Sequence, residues 1–371
     1  MAILIIIAVL LLSYSNGAND NFKGVATLYG SRTLQFKPAL ILATIATFAG
    51  SVCSYFFAEA LLKSFSGKGL VPENIVQSAE FVLSIALAAG TTVLLATKLG
   101  FPISTTHGLL GALIGAGFIA VGTSVNFSSL GKTFFLPLLL SPVIAIVISS
   151  ILYLLFKRSR QAGGITEESC LCVGNSEYVP VVENHSSKFT SIQATQVKID
   201  TTANCIKQYK GTFLGIKFQS LLNIFHYASA GIVSFARGLN DTPKLVSLLL
   251  VSRLFSLPVN FFVLAFAIAI GGLLNARKIA ETMSNKITKM NHGQGFTANL
   301  VTGFLVIAAS KFGLPVSTTH VSVGSIFGIG LVNKTANKNE ISKIALSWLL
   351  TLPVAAVLSG LFYCIIHSIN K

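Results

Sequence analysis

Two motifs in this sequence each occur twice, in the same order. The segment NDNFK at 19–23 recurs as NDTPK at 240–244, and FPISTTH at 101–107 recurs as LPVSTTH at 314–320. The offset between the two copies is nearly the same for both motifs, which indicates a duplicated unit. Both copies lie in strongly apolar sequence. Hydrophobic segments interrupted at matching positions in two halves are typical of a secondary transporter's binding site.

The composition indicates that the lipid bilayer is the environment of this chain. Of its 371 residues, 53% are hydrophobic and only 11% are charged, which is typical of a helical protein with several membrane spans. A net charge of +15 would suggest nucleic acid in a soluble protein, but here the basic residues lie mainly between apolar spans, where they set topology. We therefore expect contact with lipid and no nucleic-acid partner.

Five apolar spans precede the polar middle of the chain and five follow it. Because five is odd, the second half would enter the membrane from the opposite side, which predicts inverted repeats. We predict an all-α integral membrane protein with repeat 1 at 1–156, a cytoplasmic linker at 157–217 and repeat 2 at 218–371. Of 27 Lys and Arg residues, this topology places 18 in cytoplasmic loops and six outside, which favours both termini outside the cell membrane. Whether the Ser-Thr-Thr-His segments cross the bilayer or re-enter it stays open.

Two aspartates stand out among the twelve acidic residues. Only Asp20 and Asp241 lie inside long apolar spans, at equivalent places in the two repeats. An ionisable group inside a membrane is energetically expensive and therefore indicates a functional site. Lys23 and Lys244 each follow an aspartate by three residues, which is neighbour spacing on a helix. A purely structural salt bridge is the alternative explanation.

The sequence around each aspartate predicts a broken helix. Gly17 and Gly238 precede Asn19 and Asn240, and Pro243 follows the second aspartate. Glycine loosens a helix and proline removes a backbone donor. Broken helices at membrane depth are tolerated where the freed backbone groups meet protein, water or a ligand.

The Ser-Thr-Thr triplets supply the other half of the expected site. Each triplet follows a proline and precedes an apolar helix that contains several glycines. Serine and threonine are preferred helix N-caps, and a helix N-terminus offers unpaired N–H donors and a positive dipole end. Two such N-termini converging from inverted repeats would bind an oxyanion. For one triplet alone, an ordinary helix cap is the simpler explanation.

Three further residues are expected to contact the substrate-binding residues without touching the substrate itself. His107 and His320 follow the two triplets and could carry protons near neutral pH, although a hydrogen bond within the half-helix is an equal alternative. Arg237 lies beside the second Asn-Asp pair, whereas Asn16 occupies the matching place in the first repeat. The site is therefore expected to be asymmetric.

These motifs together resemble those of the inorganic phosphate transporter (PiT) family. The resemblance rests on the Gly17-Ala18-Asn19-Asp20 start, on Thr27, Gly30 and Ser31, on Asn240-Asp241, and on the paired Pro-x-Ser-Thr-Thr-His motifs. It implies cation-coupled uptake of phosphate, with the substrate held where the two repeats meet. It also implies sodium sites at Asn19, Asp20, Asn240 and Asp241. With the two lysines added, the substrate-binding residues are Asn19, Asp20, Lys23, Ser104, Thr105, Thr106, Asn240, Asp241, Lys244, Ser317, Thr318 and Thr319.

The two lysines depart from the pattern that the resemblance implies. The family has asparagine at the third position after each aspartate, where this chain has Lys23 and Lys244. A lysine ammonium could replace a bound sodium ion beside the same carboxylate, so the coupling ion is left open between sodium and a proton. Sulfate is also left open as substrate, because it is a tetrahedral anion of similar size. Phosphate differs from sulfate in carrying a proton that an aspartate could accept.

The sequence thus predicts a secondary active transporter that imports inorganic phosphate with sodium or a proton by alternating access. A permease for sulfate or another oxyanion is the main alternative, followed by an anion channel and a membrane scaffold without transport. We expect no enzyme, because no nucleophile is accompanied by an orienting partner. We expect no catalytic residue and no cofactor other than sodium as a coupling ion. The oligomeric state stays open, a homo-oligomer included.

Overall fold

The computed structural model describes residues 1–57, 59–65, 69–166, 168–176, 194–201 and 213–370. The helices in the first half of this described chain are α1 Ala2–Asp20, α2 Ala26–Gly30, α3 Phe36–Phe57, α4 Glu59–Ser64, α5 Glu73–Val76, α6 Ala79–Leu99, α7 Thr105–Val121, α8 Phe127–Leu130 and α9 Leu136–Ala162. Those in the second half are α10 Phe218–Leu249, α11 Leu257–Asn275, α12 Arg277–Glu281, α13 His292–Lys311, α14 Thr318–Val332 and α15 Lys338–Asn370. Short 3₁₀ turns span Asn21–Gly24, Gly122–Ser124 and Leu250–Ser252, and π turns span Gly131–Phe135 and Thr282–Lys286.

Seven helical segments of the described chain are long and apolar enough to cross a membrane. They are Ala2–Gly24, Phe36–Phe57, Ala79–Leu99, Thr105–Ser124, Phe127–Ala162, Leu257–Asn275 and Lys338–Asn370. The prediction of a mostly helical membrane protein is therefore confirmed. The other three predicted spans correspond to α10, α13 and α14. Of these, α14 has only 15 residues, short of the about 20 that a bilayer requires.

The chain divides into two compact units, one formed by Met1–Tyr153 with His226–Lys371 and the other by Leu154–Phe225. In the first unit, α1 packs against α6 and α11, and α7 packs against α6 and α15. Leu12, Ile85 and Leu110 belong to the large apolar cluster that these helices bury. The apolar cluster therefore packs against the part of α1 that precedes the first Asn-Asp motif, and the end of α1 that carries this motif is itself buried.

The second unit contains an antiparallel sheet of three strands, which the all-α prediction did not include. Strands β1 Ser169–Ser176, β2 Ala194–Thr201 and β3 Phe213–Lys217 lie in the order β2-β1-β3, and Cys170 pairs with Asp200 and with Lys217. Val197 and Ile199 alternate with the polar residues Gln196, Lys198 and Asp200 in β2, a pattern that favours a strand but is short enough to be missed. The predicted linker at 157–217 includes residues 167, 177–193 and 202–212, which lie outside the described residues.

The first Asn-Asp motif ends a helix, as predicted, but the second does not. Helix α1 ends at Asp20 and the chain continues through the 3₁₀ turn Asn21–Gly24. Helix α10, in contrast, runs through Asn240 and Asp241 with Pro243 inside it, so the prediction of a second break is wrong. Proline removes one i to i−4 hydrogen bond, and neighbouring groups in a packed membrane protein compensate for such a loss.

Gly17 and Gly238 allow close packing between helices. They do not break their helices, although the sequence predicts that they do. A Cβ at Gly17 would overlap the carbonyl oxygen of Ile268 in α11, and one at Gly238 would overlap that of Thr47 in α3. Thr47 and Ile268 are separated along the chain by the same interval as the two glycines. Each repeat therefore places its Asn-Asp helix against a helix of the other repeat through one duplicated contact.

This contact predicts that Gly238→Ala destabilises the fold, since a methyl group at that position would overlap the backbone of α3. Overpacking of this kind costs about 1–3 kcal/mol. Gly231→Ala is a matched control on the same helix, because its Cβ would meet only Leu42 Cδ1 at 4.0 Å. Thermal unfolding in detergent should show a lower unfolding temperature for Gly238→Ala and an equal or higher one for Gly231→Ala. Equal temperatures for Gly238→Ala and the unmodified protein would contradict the close contact.

Candidate functional site

The two Ser-Thr-Thr-His motifs form equivalent turns that each start a helix. Helix α6 ends at Gly100 with φ of 81°, and the turn after α13 contains Gly313 with φ of 68°; this left-handed conformation favours glycine. The chain is then extended as far as Ser104 and Ser317. Their Oγ atoms each accept a hydrogen bond of 3.2 Å from the backbone N–H of the histidine three residues later. Both serines therefore act as N-caps, of α7 and α14 respectively.

Because Ser317 caps α14, we expect Ser317→Ala to lower the free energy of unfolding moderately. Removing a serine N-cap exposes an unpaired N–H and costs about 1 kcal/mol. Ser256→Ala is the control, because Ser256 precedes α11 without forming a side-chain cap. Thermal unfolding should separate the two variants, and an equal loss in both would argue against the cap.

Lys23 lies in a shell of four oxygen atoms drawn from both repeats. Its Nζ donates to Asn19 Oδ1 at 2.8 Å, to the carbonyl of Ile103 at 2.8 Å and to Thr319 Oγ1 at 2.6 Å, and it forms an ion pair with Asp20 Oδ1. Lys23 and Asp20 are each only 1% exposed. This ammonium is thus coordinated in the way a metal cation would be.

Lys244 has a closely related environment in the second repeat. Its Nζ donates to Asp241 Oδ1 at 3.1 Å, to Thr106 Oγ1 at 2.9 Å and to the carbonyl of Val316 at 3.2 Å. Ile103 and Val316 occupy the same position in the two copies of the second motif. The carbonyl contacts of the two lysines are therefore equivalent.

The contacts of the lysines also cross between the repeats. Lys23 of the first half bonds Thr319 of the second, and Lys244 of the second half bonds Thr106 of the first. Because Thr106 and Thr319 are themselves equivalent, the crossing is reciprocal. The structure therefore brings all four motifs together at one centre with approximate two-fold symmetry.

The asparagines anchor this centre to the helices that precede the triplets. Asn19 Nδ2 donates to Thr97 Oγ1 at 2.9 Å and to the carbonyl of Phe101 at 3.1 Å. Asn240 Nδ2 donates to Asp241 Oδ1 at 2.9 Å, and Asn240 Oδ1 accepts from Ser310 Oγ at 3.3 Å. The sequence reasoning missed Thr97 and Ser310. They occupy equivalent positions ahead of the two triplets, and this correspondence would have identified them.

Thr105 and Thr318 lie at the first positions of α7 and α14, and both are buried. Thr105 Oγ1 donates to Asp20 Oδ2 at 3.2 Å. Asn16 Nδ2 donates to the same carboxylate oxygen at 3.1 Å and to Thr105 Oγ1 at 3.0 Å. Asn16 therefore belongs to the centre, although the sequence reasoning used it only as the counterpart of Arg237.

Arg237 lies between the two aspartates and not behind them. Its Nη2 is 3.7 Å from Asp241 Oδ2 and 4.0 Å from Asp20 Oδ2, and the residue is 1% exposed. Two carboxylates, two ammonium groups and one guanidinium give this centre a formal charge of +1. An anion is therefore electrostatically favoured there.

His107 and His320 lie directly behind the triplets, where the sequence placed them. Their ring centroids are 4.6 Å apart, and the ring of His320 lies 3.9 Å from that of Trp348. Trp348 Nε1 donates to the carbonyl of Pro102 at 3.0 Å. The aromatic stack thus supports the extended turn that leads into α7.

The residues predicted to hold sodium have oxygens that already accept hydrogen bonds. Asn19 Oδ1 and Asp20 Oδ1 accept from Lys23, Asn240 Oδ1 accepts from Ser310, and Asp241 Oδ1 accepts from Lys244. Among the described residues, no group of three His, Cys, Asp or Glu side chains could hold a metal ion. Each lysine ammonium group therefore lies beside a carboxylate that was expected to bind sodium.

A basic cavity lies beside the centre. Its volume is about 510 Å³, and its lining includes Thr97, three basic residues (Lys98, Arg277 and Lys278) and one acidic residue, Glu281. Thr97 also accepts the hydrogen bond from Asn19. The cavity therefore extends to a residue that contacts the centre, and its charge favours anions.

The chain is similar to known proteins over nearly its whole length. The sequence profile of the family described as "Phosphate transporter family" matches residues 16–359. A Bacillus subtilis protein, "Probable low-affinity inorganic phosphate transporter", is 27% identical over 100% of this chain and 98% of its own length. The Arabidopsis thaliana "Inorganic phosphate transporter 2-1, chloroplastic" is 25% identical over 96% of this chain and 71% of its own. A solved structure named "The sodium-dependent phosphate transporter" shares the fold, with a TM-score of 0.77, 22% identity and 99% of both chains covered.

Proposed function

This chain belongs to the phosphate transporter family, and we propose that it is a secondary active transporter that imports inorganic phosphate with a coupled cation by alternating access. The reciprocal contacts of Lys23 with Thr319 and of Lys244 with Thr106 support this proposal most strongly. A site shared by two repeats opens to one side or the other when the repeats move relative to each other. In this proposal the repeats are inverted, both termini are outside the cell membrane and the polar middle of the chain is cytoplasmic.

The substrate is held at the shared centre by the Asn-Asp pairs and the Ser-Thr-Thr triplets of both repeats. The N-terminal turns of α7 and α14 direct backbone N–H groups and the positive ends of their dipoles to this region. The excess positive charge at Arg237 adds to that attraction. Phosphate carries negative charge at neutral pH and is therefore complementary to the centre.

The lysines favour a proton over sodium as the coupling ion in this proposal. Each ammonium group supplies a positive charge beside an aspartate without any bound metal. A buried lysine can also release its proton when its surroundings change, because the charge of an ammonium group is costly away from water. A sodium gradient is therefore not required for the charge balance of the empty site.

Uptake of radiolabelled phosphate into proteoliposomes that contain the purified protein tests this function. Proton and sodium gradients are imposed separately, and excess unlabelled sulfate serves as competitor. Accumulation above the external concentration with a proton gradient, without inhibition by sulfate, is the expected result. Equilibration without accumulation would indicate a channel, and full inhibition by sulfate would indicate a general oxyanion permease.

A further inference from the structure

We propose that the guanidinium of Arg237 binds the transported oxyanion directly, and that Asp241 or Asn16 accepts a hydrogen bond from a hydroxyl group of that anion. This inference rests on the proposed function and adds the residues that select the anion. The sequence alone places Arg237 one layer away from the substrate. The structure assigns it to the centre itself.

The hydrogen-bonding state of Arg237 is the first argument. Its Nε, Nη1 and Nη2 are all buried, and none of them has a hydrogen-bond partner within the described part of the chain. A guanidinium carries five N–H donors that match the oxygens of phosphate or carboxylate in pairs. Burying such a group without acceptors is strongly unfavourable, so an unpaired buried arginine requires an explanation. An incoming anion would supply the missing acceptors.

The neighbouring aspartates do not accept hydrogen bonds from the guanidinium of Arg237. The separations of 3.7 Å from Asp241 Oδ2 and 4.0 Å from Asp20 Oδ2 exceed hydrogen-bond distance. Each aspartate is already neutralised by its own lysine, Asp20 by Lys23 and Asp241 by Lys244. Arg237 is therefore the cation that this centre holds in excess.

Unpaired acceptors lie close to the unpaired donors. Asn16 Oδ1 is buried and has no hydrogen-bond partner among the residues that the structure describes, and Asp241 Oδ2 forms no hydrogen bond of ordinary length there, although the side chain of Asn16 lies near enough to interact with Asp241. Asp241 Oδ2 is the oxygen nearest to Arg237 Nη2, and the amide of Asn16 bonds the same Asp20 oxygen that faces Nη2. These acceptors require a ligand that also donates. Phosphate at neutral pH carries at least one O–H group, whereas sulfate carries none.

Because Arg237 and Asn16 replace each other in the two repeats, the donors and acceptors of the centre favour one orientation of the anion. Arg237 and Asn16 occupy equivalent positions of the two repeats, in otherwise closely matched surroundings. One side of the centre therefore offers a charged donor and the other a neutral amide. The anionic oxygens of phosphate would face Arg237, and a hydroxyl would face Asn16 or Asp241.

Phosphate-induced stabilisation of the purified protein tests the inference independently of transport. In the unmodified protein, phosphate should raise the unfolding temperature, because a ligand that binds only the folded state stabilises it. In Arg237→Gln, this rise should disappear. The variant without phosphate should unfold at an equal or higher temperature than the unmodified protein, because an unpaired buried charge has been removed. A purely structural arginine would instead give a lower unfolding temperature, which would overturn the proposal.

Uptake assays complete the test. Arg237→Gln should raise the KM for phosphate at least about tenfold, because a tenfold change corresponds to the loss of one charge-assisted hydrogen bond. Arg237→Lys should show a smaller increase in KM. Arg253→Gln, which changes an exposed arginine, is the control and should leave KM unchanged. Sulfate should neither stabilise the unmodified protein nor compete for uptake; equal stabilisation by sulfate would contradict the role of the unpaired acceptors.

The two proposals fail in different ways. If the unmodified protein does not accumulate phosphate, the proposed function is wrong. If it accumulates phosphate and Arg237→Gln does so with an unchanged KM, only the assignment of Arg237 is wrong.

Discussion

Replacement of Asp20 by asparagine is expected to reduce gradient-driven phosphate uptake to the level of empty proteoliposomes. Asp20 bonds Lys23, Asn16 and Thr105, so it links the end of α1 to the start of α7. Without its charge, Lys23 and Arg237 remain in a buried centre with too much positive charge. Breaking a buried ion pair by removing one partner also costs about 3–5 kcal/mol of stability. The measurement is uptake by purified variants whose folding has been checked by thermal unfolding.

Two further variants separate the loss of transport from a loss of folding. Asp20→Asn combined with Lys23→Asn removes both partners, which restores much of the lost stability because neither charge of this ion pair is left without the other. This double variant should fold and still fail to couple uptake to a gradient. Glu340→Gln is the matched surface control, because Glu340 pairs with Lys343 at 2.7 Å with the same three-residue spacing. Coupled uptake at the original rate in folded Asp20→Asn would show that the carboxylate is only structural.

The duplicated sequence indicates which residues meet at this centre, because polar residues in apolar spans have few alternative explanations. Asp20, Asp241 and the two lysines could be found from their position alone, since a buried charge needs a partner nearby. Thr97 and Ser310 were missed because a hydroxyl can bond the backbone of its own helix, which makes a single Thr or Ser uninformative. Such a residue indicates a site only when the other repeat has a hydroxyl residue at the equivalent position.

The errors concern local backbone structure, which depends on packing that a sequence does not display. Pro243 suggests a break in α10, yet the helix continues, since one missing hydrogen bond costs less than unwinding a packed segment. Gly238 suggests the same break, but this glycine instead allows the backbone of α3 to approach α10 closely. The position of Arg237 between two acids from different repeats is also a tertiary property. No spacing within one repeat predicts it.

The oxygen shell of Lys23 explains why this chain can lack the asparagine that the family pattern has there. An asparagine would contribute one more oxygen to a site in which Asn19, Asp20, Ile103 and Thr319 already converge. Such a set of oxygens is suited to a small cation. The lysine fills it with a covalently attached ammonium group, so a positive charge is present there without a bound metal ion, and it is lost only if the lysine releases its proton.

Replacing both lysines by asparagine is therefore expected to make phosphate uptake dependent on sodium. In the Lys23→Asn, Lys244→Asn double variant, two aspartates and one arginine remain, and the formal charge of the centre changes from +1 to −1. A net negative centre repels phosphate unless a cation binds first. At a fixed proton gradient, replacing potassium by sodium should increase uptake by the double variant about tenfold or more, while the unmodified protein should respond little.

Lys343→Asn provides the control for this experiment, because Lys343 is an exposed lysine three residues after Glu340. It should leave both the rate and the ion dependence unchanged. If the double variant folds and transports phosphate equally well in sodium and in potassium, the ammonium groups do not replace a bound cation. If it binds sodium without phosphate, as measured by a sodium-dependent rise in unfolding temperature, the oxygen shells are latent cation sites. A single lysine replacement should give an intermediate result, since one shell would still contain its ammonium group and the formal charge would be zero.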